Sequence, residues 1–295
     1  SSSGHEPVLF CELDSAAAAI LKKQFEGVKV HDDIRSLAKL PPCDIVTAGW
    51  PCQDLSQAGQ MQGMLGDKSS LVTEVFRLIR SARNRPQYIL LENVAFSLSL
   101  HGGAAIKFVT AELEKLGYNW AYRVLDTKSF GKPQRRRRVF ILASLDEDAL
   151  DLLFSGRKAI VADAENPQKF GFYWTEGNGG LGWSPECVPP LKGGSGLSIP
   201  SPPAIWDSNS GAFVSPGIAD AEMLQGFPRG WTRPEKKSDL RLERHRWTLV
   251  GNAVSVPVAR WLGVSLTRGK TTTTEVFLAS DQTKTVHNAG MGGPN

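Results

Sequence analysis

Short apolar segments alternate with segments of helical spacing through the first half of the chain. Apolar runs occur at 8–11, 28–30, 43–49, 88–91, 120–125 and 139–143, and helical spacing at 15–25, 69–83 and 104–116. Strands that alternate with helices favour an α/β fold, in which mostly parallel strands form an open, doubly wound, Rossmann-like sheet. Such folds place functional side chains just beyond the carboxyl ends of their strands.

Composition sets few limits on function. The 295-residue chain has a formal net charge of +4, which many proteins share and which does not by itself predict a nucleic-acid partner. The local run Arg135–Arg138 is a stronger candidate for phosphate binding. The four cysteines show neither a pairing pattern nor metal-ligand spacing, and we expect no metal, no membrane span, no signal peptide and a monomer in a reducing cytoplasm.

Cys52 lies just past the apolar run 43–49, behind Pro51, where a thiol on a loop is presented to a substrate. A lone cysteine is more often a buried structural residue. Further motifs accompany this one, in fixed order: Gly49-Trp50-Pro51-Cys52-Gln53, Leu91-Glu92-Asn93-Val94, Gly131-Lys132-Pro133-Gln134-Arg135-Arg136-Arg137-Arg138 and Gly251-Asn252-Ala253-Val254. Together they resemble the DNA cytosine-5 methyltransferases, from about Pro7 to Leu266.

The resemblance implies four catalytic residues: Cys52, Glu92, Arg136 and Arg138. Cys52 is the expected nucleophile, and Glu92, at the tip of an apolar strand, is expected to have a raised pKa. Alternation along an extended strand sends Arg136 and Arg138 to one face, and Arg135 and Arg137 to the other.

The implied cofactor is S-adenosylmethionine. Glu12 and Asp33 follow successive strands, where acids hold ribose and adenine groups, and Asp32 is a close competitor for Asp33. The full expected cofactor set is Glu12, Leu13, Asp33, Ile34, Pro51, Leu71, Asn252 and Ala253.

The implied partner is double-stranded DNA, with the target cytosine flipped out. The expected DNA contacts are Gln53, Ser56, Gln57, Gln60, Gln134, Arg135, Arg137, Lys192 and Ser195. Composition suggests a catalytic and cofactor-binding lobe at 1–154, an aromatic, glycine-rich target-recognition lobe at 155–235, a return segment at 236–268 that packs on the first lobe, and a tail at 269–295.

The glycine-rich Phe-x-Gly-x-Gly turn that opens the family is not visible near Ser1–His5. We therefore expect that the first strand and helix are missing by truncation, with weak cofactor binding, and a permuted form is the alternative. The alternative functions are a DNA-binding homologue without turnover, a thiol hydrolase, which needs a histidine base, and a dinucleotide oxidoreductase. The recognised DNA sequence and any restriction partner are not encoded in these patterns.

Overall fold

The computed structural model describes residues 3–50, 71–155, 165–173, 182–192, 202–234 and 240–267. In its first half, strands and helices alternate as the apolar pattern predicts. They are β1 Leu9–Cys11, α1 Ser15–Gln24, β2 Lys29–His31, β3 Ile45–Gly49, α2 Leu71–Ser81, β4 Tyr88–Val94, α3 Ala104–Lys115, β5 Asn119–Asp126, β6 Arg137–Ser144 and α4 Ala149–Phe154.

The main sheet has the strand order β3-β4-β6-β5, and β1 pairs in parallel with β2 in a second, two-stranded sheet. Strand β4 is parallel to β3, but β6 is antiparallel to both β4 and β5. Strands β3, β4 and β5 therefore run in one direction and β6 alone runs against them, so the expectation of mostly parallel strands is confirmed, with β6 as the exception in this sheet. Residues 127–136 connect β5 to β6 and are too few for a parallel crossover, which needs a dozen residues or more.

Helices cover both faces of the main sheet. On one face, Ile89 and Leu91 of β4 pack in the same core cluster as Phe76 of α2 and Leu113 of α3. On the other face, alternate residues of β4 and β6 pack against α4 and against α7, which spans Val256–Thr267. This second core cluster contains Tyr88, Phe140 and Leu142 from the strands and Leu153, Val258 and Leu262 from the helices. Burial on both faces explains why β4 and β6 are nearly continuous apolar runs.

The remaining strands form a small antiparallel sheet in the order β10-β9-β7-β8. They are β7 Lys169–Phe172, β8 Ser184–Pro185, β9 Ala204–Asp207 and β10 Phe213–Val214, and they are followed by α5 Ile218–Gln225 and α6 Leu240–Asn252. Val188 and Leu191 pack with Ala221 of α5 and with Trp247 and Val250 of α6. This contact joins the small sheet to the helical segment that leads into α7.

One stretch, His245–Thr267, is long and apolar enough to cross a membrane when judged by length and composition alone. In the structure the stretch is divided between α6 and α7, which are separated by residues 253–255. Its apolar residues Val250, Val258 and Leu262 lie in the protein core, which accounts for the composition.

Candidate active site

Glu92 lies inside β4 and not at its tip, because the strand continues to Val94. Its neighbours across the sheet are Gly49 of β3 and Phe140 of β6. The side chain is largely buried, with 17% of its area exposed. A Cβ atom placed on Gly49 would lie only 3.4 Å from Glu92 Oε2, so glycine at this position leaves room for the carboxylate.

Arg138 pairs with Glu92. Its Nε lies 3.1 Å from Glu92 Oε1, and the arginine side chain is as buried as its partner, at 17% exposure. The antiparallel register places Arg138 opposite Val94, two residues beyond Glu92 on the neighbouring strand. The sheet register therefore sets which acid and which base meet.

Arg136 lies on the same side as Arg138 but is buried more deeply, with 2% exposure. Its Nη2 donates to the carbonyl oxygen of Ala253 at 2.9 Å, and its backbone N–H donates to Asp126 Oδ1 at 2.8 Å. The guanidinium thus joins β6 to the segment between α6 and α7. The predicted alternation is confirmed: Arg135 and Arg137 are exposed, while Arg136 is buried.

The electrostatics of the three charged groups follow from burial. Burial raises the pKa of Glu92, and the charges of Arg138 and Arg136 oppose that rise. Burial and, to a smaller extent, the adjacent Arg138 lower the pKa of Arg136 to about 9, against the attraction of Glu92. At neutral pH the guanidinium still carries its charge. The raised pKa that the sequence predicts for Glu92 is confirmed in direction.

Several buried polar atoms around these residues have no hydrogen-bond partner within the described part of the chain. They are Trp50 Nε1, Asn93 Nδ2, both amide atoms of Gln134, Nε and Nη1 of Arg136, Gln225 Oε1 and Ser255 Oγ. Arg136, Arg138 and Ser255 also line a cavity of about 10 Å³, the room of one water molecule. Unsatisfied buried groups are rare in folded proteins and mark sites that use them.

The cofactor-side acids lie at the ends of β1 and β2. The Glu12 backbone N–H donates to the His31 carbonyl at 2.9 Å, which fixes Glu12 beside the end of β2. Glu12 Oε1 accepts from the Asp14 backbone N–H at 2.8 Å, and the apolar Leu13 between them is 65% exposed. A carboxylate beside an exposed apolar side chain fits the ribose and adenine of a nucleoside.

Asp33 is engaged by its own neighbour. Arg35 Nη2 donates to Asp33 Oδ2 at 2.6 Å and Arg35 Nε donates to Oδ1 at 3.0 Å, and these bonds lower the pKa of Asp33. The competitor Asp32 has a side chain that is 90% exposed. Sequence reasoning missed Arg35, although the i, i+2 spacing of the two charges carries the signal.

The other cofactor candidates lie in three separate segments of the chain. Ile34 packs against the main core, Leu71 is the first residue of α2, Asn252 is the last residue of α6 and is exposed, and Ala253 follows it. The structure brings Ala253 to Arg136 and brings Glu12 near Asp33 through the β1–β2 pair.

The predicted DNA contacts divide into three groups. Arg135, Arg137 and Lys192 are exposed, and Lys192 Nζ lies 4.5 Å from the centre of the Tyr173 ring. Gln134 is completely buried, so its assignment as a DNA contact is wrong for this structure: the alternation that turns Arg136 inward also turns Gln134 inward. The third group lies outside the described ranges and consists of Gln53, Ser56, Gln57, Gln60 and Ser195. The expected nucleophile Cys52 and the cofactor candidate Pro51 also lie outside those ranges.

Comparison with known proteins identifies the family. A profile described as "C-5 cytosine-specific DNA methylase" matches residues 1–171. The chain is 46% identical over 303 residues to the type II methyltransferase M2.BsuMI of Bacillus subtilis, an alignment that covers 98% of this chain and 77% of the relative. It is 37% identical over 140 residues to M.BanI of Aneurinibacillus aneurinilyticus, covering 48% of this chain and 32% of that relative.

A solved structure shares the fold. The crystal structure of S. pombe Dnmt2 methyltransferase superimposes with a TM-score of 0.62 at 19% identity, covering 88% of this chain and 90% of the other. At this identity the match shows the mixed α/β, Rossmann-like methyltransferase fold alone, whereas the profile and the B. subtilis relative show the family. The chain belongs to the family of C-5 cytosine-specific DNA methylases.

Proposed function

We propose that the chain transfers a methyl group from S-adenosylmethionine to carbon 5 of a cytosine in duplex DNA, through a covalent adduct with Cys52. One observation carries this proposal: the buried Glu92 carboxylate pairs with Arg138 and lies against Gly49. Cys52 follows Gly49 by three residues, so covalent connectivity keeps its Cα within about 11 Å of the Gly49 Cα. An acid, a cation and a thiol thus belong to one small region.

The chemistry requires these groups because carbon 5 of cytosine is a poor nucleophile. The Cys52 thiolate adds to carbon 6, and the electron pair of the 5,6 double bond makes carbon 5 nucleophilic. Carbon 5 then takes the methyl group, loses its proton, and the carbon–sulfur bond breaks to return the thiolate. Bound S-adenosylmethionine supplies the methyl group in electrophilic form.

Glu92 carries a proton to the ring in this proposal. A carboxyl group whose pKa is raised by burial holds its proton closer to neutral pH than an exposed one. It donates to ring nitrogen 3 as the thiolate adds, and so stabilises the negative charge that the addition creates.

Arg136 and Arg138 supply positive charge to the same region. A nearby cation favours the thiolate over the thiol, which activates a cysteine nucleophile. The unpartnered Nε and Nη1 atoms of Arg136 are donors for an oxygen of the substrate or for a water that contacts it. Because Arg136 is held by Ala253, the donors are fixed before substrate arrives.

Access to the ring faces requires that the cytosine leave the base stack, since stacking blocks attack at carbon 6. The exposed side chains of Arg135 and Arg137 are suited to DNA phosphates, and the lobe at 155–235 is suited to read base edges in the major groove. Glu12 and Leu13 are suited to hold the ribose and adenine of the cofactor, together with Asp33. The relatives' name, type II methyltransferase, supports a role in DNA modification in the bacterial cytoplasm.

The test is transfer of a radiolabelled methyl group from S-adenosylmethionine to duplex DNA. Wild-type protein labels cytosine at carbon 5, and Cys52→Ser labels none. The matched control is Cys43→Ser, which removes a half-buried thiol just before β3 and leaves labelling within about twofold of wild type, as expected for a residue outside the reacting groups. Labelling by Cys52→Ser at the wild-type rate contradicts the proposal.

A further inference from the structure

Gln225, the last residue of α5, is completely buried. Its Nε2 donates to the Val250 carbonyl at 2.9 Å and approaches the Ala253 carbonyl at 3.4 Å, where the contact is long. Both acceptors are carbonyl oxygens, so only the NH2 group of the amide can face them, which fixes the orientation of the side chain. The amide therefore ties the end of α5 to the end of α6.

The carbonyl oxygens at the end of α6 need a hydrogen-bond donor from outside the helix. The last carbonyls of a helix have no partner within the helix, and they carry the negative end of its dipole. The Ala253 backbone N–H donates to the Leu249 carbonyl at 3.1 Å, which leaves the Val250 carbonyl to Gln225. The Ala253 carbonyl then faces Arg136, whose Nη2 donates to it at 2.9 Å.

Gly226, the residue after Gln225, lets the end of α5 approach the start of α7 closely. Gly226 has a φ of +91°, and a Cβ atom at this position would lie 2.6 Å from Pro257 Cδ at the start of α7. Glycine is therefore required both for the backbone conformation and for the close contact. Gln225 and Gly226 together fix the segment between α6 and α7 against the end of α5.

We propose that Gln225 is a positioning residue, which holds the α6–α7 junction so that the Ala253 carbonyl receives and orients the guanidinium of Arg136. This inference rests on the proposed function, since it assigns Gln225 an effect on methyl transfer through Arg136. Arg136 is nearly fully buried, and within the described residues the Ala253 carbonyl oxygen is the one acceptor that its guanidinium bonds. A small shift of that carbonyl therefore moves the guanidinium directly.

The first experiment is a double-mutant cycle. Gln225→Met keeps the length of the side chain but removes the donor, and we expect kcat to fall by about 10- to 100-fold, as misplacement of a catalytic group does. Because Ala253 is also an expected cofactor contact, kcat is compared at saturating S-adenosylmethionine for both proteins. In an Arg136→Lys background, Gln225→Met should change kcat by less than about twofold, because coupled residues are not additive.

The control is Thr232→Val. Thr232 is also buried at the interface of α5 and α6, where its Oγ1 bonds Glu222 and Arg246, but it has no contact with Ala253. This variant lowers the melting temperature and should leave kcat within about twofold of wild type, since the hydrogen bonds it removes do not involve Ala253 or Arg136. The inference is wrong if the two variants lower kcat equally at an equal loss of melting temperature, or if Gln225→Met multiplies the defect of Arg136→Lys.

A second measurement does not depend on activity, so it separates this inference from the proposed function. In protein labelled with 15N-arginine, hydrogen exchange of the Arg136 Nε–H and Nη–H groups reports how tightly the guanidinium is held. We expect Gln225→Met to speed this exchange and Thr232→Val to leave it unchanged. Unchanged exchange in Gln225→Met overturns the positioning role, whereas absence of methylation by wild-type protein with exchange as expected overturns only the proposed function.

Discussion

The charged groups beside β4 and the acids at the ends of β1 and β2 are held in different ways. Glu92 and Arg138 are largely buried, and their pairing is set by strand register across the main sheet. Asp33 and Arg35 are near neighbours in sequence, and the Arg35 side chain remains 59% exposed. The fold brings Glu92 and Arg138 together from distant parts of the sequence, whereas Asp33 and Arg35 meet because they are two residues apart.

This difference has electrostatic consequences. Burial raises the pKa of Glu92 despite two nearby guanidinium groups, whereas the pKa of Asp33 is lowered by hydrogen bonds from Arg35. An acid with a raised pKa is therefore suited to hold and release a proton, and an acid whose pKa is lowered by hydrogen bonds is suited to bind a ligand as a carboxylate. We expect substitutions in the two regions to affect different steps.

The largest expected effect is at Glu92. Glu92→Gln keeps the shape of the side chain but removes the transferable proton and the partner of Arg138. We expect kcat to fall by about 10²- to 10⁴-fold, the usual contribution of a general acid, with little change in S-adenosylmethionine affinity. Steady-state methylation of duplex DNA measures kcat, and isothermal titration measures the affinity.

The matched control for that experiment is Glu112→Gln, which removes an acid of similar burial that pairs with Arg80 of α2 and Lys115 of α3. Its methylation rate should equal that of wild type, since neither of these cations belongs to the charged group around Glu92. A methylation rate for Glu92→Gln close to that of Glu112→Gln would contradict a role for Glu92 in proton transfer.

The second effect separates the cofactor side from the chemistry. Glu12→Gln replaces a carboxylate at the end of β1, and loss of a charged hydrogen bond should weaken S-adenosylmethionine binding by about 10- to 100-fold. The kcat at saturating cofactor should be nearly unchanged. Asp32→Asn is the control, because the Asp32 side chain is 90% exposed and follows β2, the strand that pairs with β1. Equal losses of affinity in the two variants leave no special role for Glu12.

A smaller effect is expected from the outward-facing arginines. Arg135→Ala and Arg137→Ala each remove an exposed charge next to the buried pair. Each should weaken DNA binding similarly for all sequences and reduce the slope of log affinity against log salt by about 1. Binding measured at several salt concentrations tests this, and Lys115→Ala on α3 is the control. An unchanged slope places these residues away from DNA.

The smallest effect concerns stability and pH. The pKa of Glu92 is raised in the folded state, so the folded state binds more protons than the unfolded state above pH 4.5. The free energy of unfolding of wild type relative to Glu92→Gln should therefore be largest at low pH and fall as the pH rises through the raised pKa. Urea unfolding across this range measures the difference. An increase with pH would mean that Arg138 outweighs burial.

The sequence is enough to predict the buried side of the site. Apolar runs locate β4 and β6, and period-two alternation assigns Arg136 to the inside and Arg137 to the outside. The apolar setting of Glu92 also predicts the direction of its pKa shift. These features depend on local pattern and burial, which are encoded in short segments.

Contacts between distant segments are not encoded in this way. The antiparallel β6 depends on the length of the β5–β6 connection, and the Arg136–Ala253 bond joins residues 117 positions apart. Tertiary packing decides these two features, and single-sequence patterns carry little of that information. Gln134 is different, because the strand alternation extended by two residues already turns it inward.

The most direct test of the account is covalent trapping. Duplex DNA that contains 5-fluorocytosine is incubated with the protein and S-adenosylmethionine, because fluorine at carbon 5 cannot leave as a proton and the carbon–sulfur bond then persists. The account predicts a stable protein–DNA adduct whose cross-linked peptide, identified by mass spectrometry, contains Cys52, and no adduct with Cys52→Ser. An adduct at Cys11, Cys43 or Cys187, or methylation without any adduct, would contradict the central claim.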